Sequence, residues 1–214
     1  MIEDSGDHDT DIKDFGIMWN ILKKIKKPFY SLIGNHELRS MHSRKEIEQI
    51  IGYENAAFSI DLKGYHFVFL APEVNTEVGT EDGGILRTQF FTTEDMKWLR
   101  EDLQKNNLPC IVFSHFGIAR ENMDGNWWFE KNPTLAFWVN CEEIEDILNN
   151  DKNVLAAFCG HQHWTRETKK DGKYYYIIGS LTEDIHGDGI PDGVYFEVDL
   201  YENKVQVTVH NLRL

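Results

Sequence analysis

Positive charge, cysteine, proline and long apolar runs are all scarce in this chain, and each shortage excludes something. Its 214 residues hold 22 Lys and Arg against 36 Asp and Glu, a formal charge of −14. A surface of that sign argues against electrostatic binding to a nucleic-acid duplex or an anionic membrane. Bound divalent cations would invert the sign locally, so a small phosphate ester stays admissible as a substrate. Cys110, Cys141 and Cys159 are an odd number with no Cys-x-x-Cys pair, and read as small core residues in a reducing compartment. No apolar run approaches the roughly 18 residues of a membrane span, and Met1-Ile2-Glu3-Asp4-Ser5 is unlike a signal peptide.

With 41% hydrophobic residues the chain can bury a sizeable core, and its length fits one domain over residues 1–214. Ile12, Phe15, Trp19 and Leu22 recur at helical spacing, which predicts a helix over residues 11–25 that stops before Pro28. Ser43-Arg44-Lys45-Glu46 is a capping box, and Thr92 and Asn140 open two further helices. Apolar runs predict strands at residues 29–33, 57–60, 65–70, 111–113 and 154–159. From residue 174 only strands are expected, at 174–178, 194–200 and 204–209, with hairpin turns at Lys63-Gly64 and Glu202-Asn203. Residues 75–91 read as a solvated rim. Strands joined by hairpins beside strands alternating with helices imply mixed sheets covered by helices.

Three predicted strands end in groups suited to holding metal: Gly34-Asn35-His36-Glu37, Ser114-His115 and Gly160-His161-Gln162-His163. In α/β proteins the carboxyl ends of such strands converge on the ligand crevice. Asn35 offers a neutral oxygen ligand and His36 a proton donor. On extended backbone His161 and His163 would share a face, roughly 6.5 Å apart, and reach neighbouring ions. Taken singly these are an ordinary Gly-Asn turn, a satisfied histidine at a strand end and a surface His-x-His; as a set they read as a metal centre. His8, His42, His66, His186 and His210 lack such a setting and read as structural or solvated. Asp184, His186 and Asp188 beside Gly187 and Gly189 read as a glycine turn rather than a cation loop.

The order of these motifs resembles the calcineurin-like metallophosphoesterase superfamily, most closely its cyclic-nucleotide phosphodiesterase-like and ADP-ribose/CDP-alcohol diphosphatase-like branch, over residues 2–209. That family carries Asp-x-His, Gly-Asp, Gly-Asn-His-Asp/Glu, a single His and Gly-His-x-His in order, and the last three stand here. Asp-x-His is missing. Gly6-Asp7 does not end an apolar strand, whereas Met1-Ile2-Glu3-Asp4 reads like the residues that follow the family's Gly-Asp. The expectation is therefore an N-terminally truncated domain whose Gly-Asp lies upstream of Met1, with Asp7 only a weak stand-in. Localisation then stays open, the cytoplasm favoured, because a leader would be lost with that segment.

The resemblance implies an α/β fold, a four-layer α/β/β/α sandwich of two mixed sheets flanked by helices, with the first strand missing. It also implies two divalent metal ions, of manganese, iron or zinc, sharing a bridging Asp and a hydroxide. Asn35, His115 and His161 would form most of one site, His163 would belong to the other, and His36 would stabilise or protonate the departing oxygen. The substrate would be a phosphomonoester, phosphodiester or diphosphate, nucleotide-like among the candidates. Without the bridging carboxylate, the expectation is one weakly held ion or none and little turnover. The aromatic connection after His115 offers Trp127 and Trp128 as a wall for a base or organic leaving group; the alternative is that its rings, Phe116, Trp127, Trp128, Phe129, Phe137 and Trp138, plug the sheet or form a dimer contact. A missing leading strand leaves an unpaired sheet edge, which favours a homodimer. Two other readings stay open: a non-catalytic scaffold on the same fold, and a mononuclear zinc hydrolase, for which Gln162 and Trp164 supply no carboxylate.

Overall fold

The most apolar stretches of the chain lie side by side. The structure is a computed structural model and describes residues 12–39, 43–79, 85–105, 107–184, 187–201 and 204–211. Its first half runs α1 (Ile12–Leu22), α2 (Asn35–Arg39), α3 (Arg44–Ile51), β1 (Phe58–Leu62), β2 (Tyr65–Phe69), β3 (Glu73–Gly79), β4 (Ile85–Phe90) and α4 (Thr93–Leu103). The second half runs β5 (Cys110–Ser114), a 3-10 turn at Pro133–Ala136, α5 (Cys141–Asn150), β6 (Val154–Cys159), β7 (Arg166–Lys170), β8 (Lys173–Ile177), β9 (Tyr195–Tyr201) and β10 (Lys204–His210). Six strands form one sheet in the order β1-β2-β5-β6-β8-β7; β9–β10 and β3–β4 are separate pairs. Strands β2, β5, β6 and β8 are parallel, and β1 and β7 close the edges antiparallel. This is the mixed α/β architecture expected from the alternation of strands and helices.

One row of this sheet explains much of its cohesion. Phe58, Phe69, Phe113, Phe158 and Tyr176 are register partners on five adjacent strands. Their rings stack in sequence with centroids 4.6, 5.1, 5.7 and 4.9 Å apart. Cross-strand aromatic pairs of this kind contribute roughly 0.2–1 kcal/mol each beyond backbone pairing. The β9–β10 hairpin covers the same face through Phe196, Val198, Leu200, Val205 and Val207, the inward set of two alternating strands. The opposite face carries the larger core, where Val68, Val112 and Ala157 meet Leu99 of α4, Ile144 and Leu148 of α5 and Ile47 of α3.

Local chemistry sets the element ends. Ser43 and Glu46 exchange side-chain bonds to each other's backbone N–H, and Thr92 Oγ1 accepts from Asp95 N at 3.0 Å, so both predicted caps form. Lys63 and Gly64 hold φ of 51° and 84°, the left-handed pair that a two-residue hairpin requires. Glu202 and Asn203 lie outside the described residues, although Tyr201 pairs with Lys204 as a hairpin there demands. Asn140 precedes α5 without capping it; its side chain instead accepts from Phe91 N at 3.0 Å and donates to Phe91 O at 2.8 Å.

Two expectations are corrected, and one strand was not anticipated. Residues 29–33 are not a strand, because no described strand runs beside them; Ser31 N–H donates to Tyr53 Oη at 3.0 Å, and Tyr30 lies against Phe69 with ring centroids 5.4 Å apart. Residues 75–91 are not a plain rim, since β3 and β4 pair antiparallel across them with a register shift between Asn75 and Val78. The polar strand β7 has no apolar run to announce it; it forms because β8 offers it an open edge. All three cysteines are buried and free, and burial pushes the Cys159 thiol up to about 12, so it behaves as an inert core residue.

Candidate metal centre

The site is built where β5 and β6 end and the segment before α2 arrives beside them. Gly160 N–H donates to His115 O at 3.0 Å and Ile178 N–H to Cys159 O at 2.8 Å, which locks the ends of three neighbouring strands together. Asn35, His115 and His161 come to rest there with exposures of 6%, 2% and 9%. Gly34 makes room for the approach: a Cβ on it would lie 2.8–2.9 Å from three atoms of the His115 ring. Gly117 does the same on the other side, where a Cβ would lie 2.4 Å from Gln162 Nε2 and 2.7 Å from Phe137. Both glycines are therefore close-approach positions rather than turn residues.

The donor atoms converge. His115 Nε2–H is shared between Asn35 Oδ1 at 2.7 Å and His161 Nδ1 at 3.2 Å. His161 Nε2–H donates to the Leu135 carbonyl at 3.0 Å, which leaves Nδ1 as the lone-pair nitrogen. One proton thus holds two nitrogens and one amide oxygen at separations close to those between ligands on one small cation, as expected from metal–nitrogen distances of about 2.0–2.1 Å. Desolvation, reinforced by nearby His161, His36 and His163, drives His115 well below the usual imidazole range and keeps it neutral, the form in which imidazole binds metal. The donor set fits a divalent transition metal. Among the described residues no group of three or more His, Cys, Asp or Glu side chains forms a metal site, because the third donor here is an amide and His163 is turned elsewhere.

His161 and His163 do not share a face of an extended strand. β6 ends at Cys159, and His161 and His163 hold φ of 67° and 50°. Gln162 N–H donates to Gly160 O at 2.7 Å, so the chain turns tightly around His161. Non-glycine residues in this region cost on the order of 1–3 kcal/mol each and persist where the surroundings over-determine them. Here those surroundings are visible: Phe116 and Phe129 pack on His161 with centroids 4.6 and 4.9 Å away, and Asn126 Nδ2 donates to Gln162 O at 2.9 Å. His163 Nδ1–H donates to Glu183 Oε2.

His36 lies half-buried on the first turn of α2, next to Asn35. Trp127 and Trp128 are 85% and 54% exposed, so neither plugs the sheet. Trp128 stands edge-on to His163, centroids 5.8 Å apart, and its Nε1–H donates to Glu183 Oε1 at 2.9 Å. Asp184 uses both carboxylate oxygens on the backbone N–H groups of Gly187 and Gly189, the glycine turn expected there. Asp7, His8, His42 and His186 lie outside the described residues. His66, at the far end of β2, has its two ring nitrogens 2.7 and 3.0 Å from carboxylate oxygens of Asp61 and Asp102 and takes no part in the site.

Sequence reasoning missed Glu183, Asn126 and the Leu135 carbonyl. Ser180-Leu181-Thr182-Glu183 does have the form of a capping box, and Ser180 Oγ accepts from Glu183 N at 3.0 Å, but no helix follows to make the pattern conspicuous. Asn126 lies in the long aromatic connection, where its Oδ1 accepts from Trp128 N and Phe129 N, both at 2.9 Å. Nothing in the sequence separates it from an ordinary turn asparagine.

Among solved structures, the chain is similar to a dimetal phosphatase from Danio rerio, at 15% identity and a TM-score of 0.67, over 93% of this chain and 74% of that one. It is also similar to a phosphopantetheinyl hydrolase from Mycobacterium tuberculosis, at 14% identity and a TM-score of 0.51, over 79% and 76% of the two chains. At these identities the likeness is one of fold. No curated protein matches the chain by sequence. The calcineurin-like phosphoesterase family matches residues 4–165, which include Asn35, His36, His115, His161 and His163, and the chain belongs to that family.

Proposed function

We propose that this chain is a metal-dependent phosphoesterase whose substrate is a small phosphate ester, a phosphomonoester, phosphodiester or diphosphate. The observation that carries this reading is the convergence of His115 Nε2 with Asn35 Oδ1 and His161 Nδ1, three buried groups able to bind one ion. Asn35, His115 and His161 would hold one divalent ion, manganese, iron or zinc, and His163 would serve a second. When bound, such ions supply Lewis acidity to phosphoryl oxygens and lower the pKa of water toward neutrality.

The chain's own residues do the rest. His36 holds a proton for the departing oxygen, beside the amide that binds the ion. Phe116 and Phe129 exclude water from the inner side of His161 and so keep its fixed dipoles effective. Trp127 and Trp128 offer exposed ring faces to an organic leaving group, and the dimetal phosphatase and phosphopantetheinyl hydrolase of like fold keep both monoester and larger esters in view.

The test is hydrolysis of p-nitrophenyl phosphate, bis-p-nitrophenyl phosphate and a nucleoside diphosphate ester after loading with Mn2+ or Zn2+. Metal-dependent release that His161→Ala abolishes supports the reading. Binding of metal with no hydrolysis of any of the three favours the non-catalytic scaffold instead. Asn35, His115 and His161 converge on one ion, so that ion is expected to bind more tightly than a second; two equally tight ions per chain would overturn that expectation. Among the described residues no helix is long and apolar enough to cross a membrane.

A further inference from the structure

The loop after β8 places a carboxylate against the second histidine of Gly-His-Gln-His, and that contact does more than seal the rim. We infer that Glu183 is the positioning residue for His163: it fixes the ring with Nδ1 protonated and Nε2 as the lone-pair nitrogen, ready to serve as a metal donor. The inference rests on the metal reading above and assigns a residue that neither the motifs nor the family's pattern supply.

Three observations carry it. First, an ionised carboxylate only accepts, so the bond from His163 to Glu183 Oε2 must be made by Nδ1–H, which in the neutral ring makes Nε2 the lone-pair nitrogen. Second, Glu183 is itself held from several sides. Ser180 Oγ accepts its N–H at 3.0 Å, its carbonyl accepts from Asp192 N at 2.8 Å, and its other carboxylate oxygen accepts Trp128 Nε1–H at 2.9 Å. Both carboxylate oxygens are therefore engaged, and the group is not a mobile surface acid. Third, the neighbouring histidine is handled in the same manner by a different partner, since His161 Nε2–H goes to the Leu135 carbonyl. Two histidines of one loop are thus fixed in opposite tautomers, one by a backbone carbonyl and one by Glu183. Metal-ligating histidines characteristically give their second nitrogen to such an acceptor, which fixes the ring and raises its basicity.

The tautomer is read without metal by 15N imidazole shifts, with the His163 signals assigned by their loss in His163→Ala. Wild type is expected to show a protonated Nδ1 at His163, and Glu183→Ala to lose that preference, while Trp128→Phe keeps it because the carboxylate remains. Zn2+ affinity should fall about 10-fold in Glu183→Ala, by the usual cost of losing such a partner. Glu183→Gln, which keeps the shape and removes the charge, should fall between the two and serves if the alanine variant does not fold. An unchanged His163 tautomer in Glu183→Ala overturns the inference, as does, should that variant not fold, an unchanged Zn2+ affinity in Glu183→Gln. A lost tautomer with Zn2+ affinity unchanged in Glu183→Ala and His163→Ala alike overturns instead the metal reading on which it rests.

Discussion

His161 and His163 are two residues apart, share a left-handed backbone, and end in opposite surroundings. His161 is sealed among Phe116, Phe129 and His115 and bound to a backbone carbonyl. His163 is half-buried under Trp128 and bound to a carboxylate that reaches it from the loop after β8. The first is fixed by elements that also make the core, so it cannot move without disturbing them. The second is fixed by side chains at the rim, Glu183 and Trp128. A motif that reads as a symmetric pair is, in three dimensions, one core histidine and one rim histidine.

That contrast is broken most directly at His161. His161→Ala should abolish binding of the first ion and lower metal-dependent hydrolysis at least about 100-fold, as removal of a metal ligand and its fixed dipole would. His163→Ala should cost about tenfold less in Zn2+ affinity, measured by calorimetry in the same buffer. Equal losses in the two variants would dissolve the distinction between core and rim.

Packing around the core member gives the next test. Gly117→Ala would press a Cβ against Gln162 and Phe137, and should destabilise the chain by about 1–3 kcal/mol in urea unfolding, the usual range for overpacking. A neutral Gly117→Ala would mean that the inner wall is looser than the contacts indicate.

His66 supplies a control far from the site, because its two ring nitrogens lie against the carboxylates of Asp61 and Asp102. Burial acts to raise Asp102, but its bonds to Ser59 and Lys105 and the charge of His66 outweigh that and hold it below the ordinary aspartate value. A depressed folded-state pKa contributes stability that is present above the unfolded value, about 3.9, and lost as the pH falls below it. Asp102→Asn should therefore flatten the acid limb of a stability–pH curve while leaving Zn2+ affinity unchanged. A change in metal affinity would tie this cluster to the site. The smallest effect is expected at the rim: Trp127→Phe, at a largely exposed position, should alter stability by no more than about 0.5 kcal/mol.

Much of the fold was legible from local chemistry. The capping box at Ser43, the turn at Lys63-Gly64 and the alternation of Val205 and Val207 act over a few residues, so their outcome does not depend on distant partners. Residues 29–33 and 166–170 were misread or unseen because strand formation depends on a neighbour's edge, which sequence does not display. In the site, Asn35, His115 and His161 stood out because each follows a strongly apolar run. Glu183 and Asn126 were not, since they act through partners 20 and 36 residues away.

The sequence by itself determined the kind of chemistry: three short motifs, two of them at strand ends, supply neutral nitrogen and oxygen donors, and their order identifies the family. Tertiary structure alone decided what each donor does. Tautomer and orientation depend on which acceptor happens to face the other ring nitrogen, and the Leu135 carbonyl and the Glu183 carboxylate reach these rings only through the folded chain.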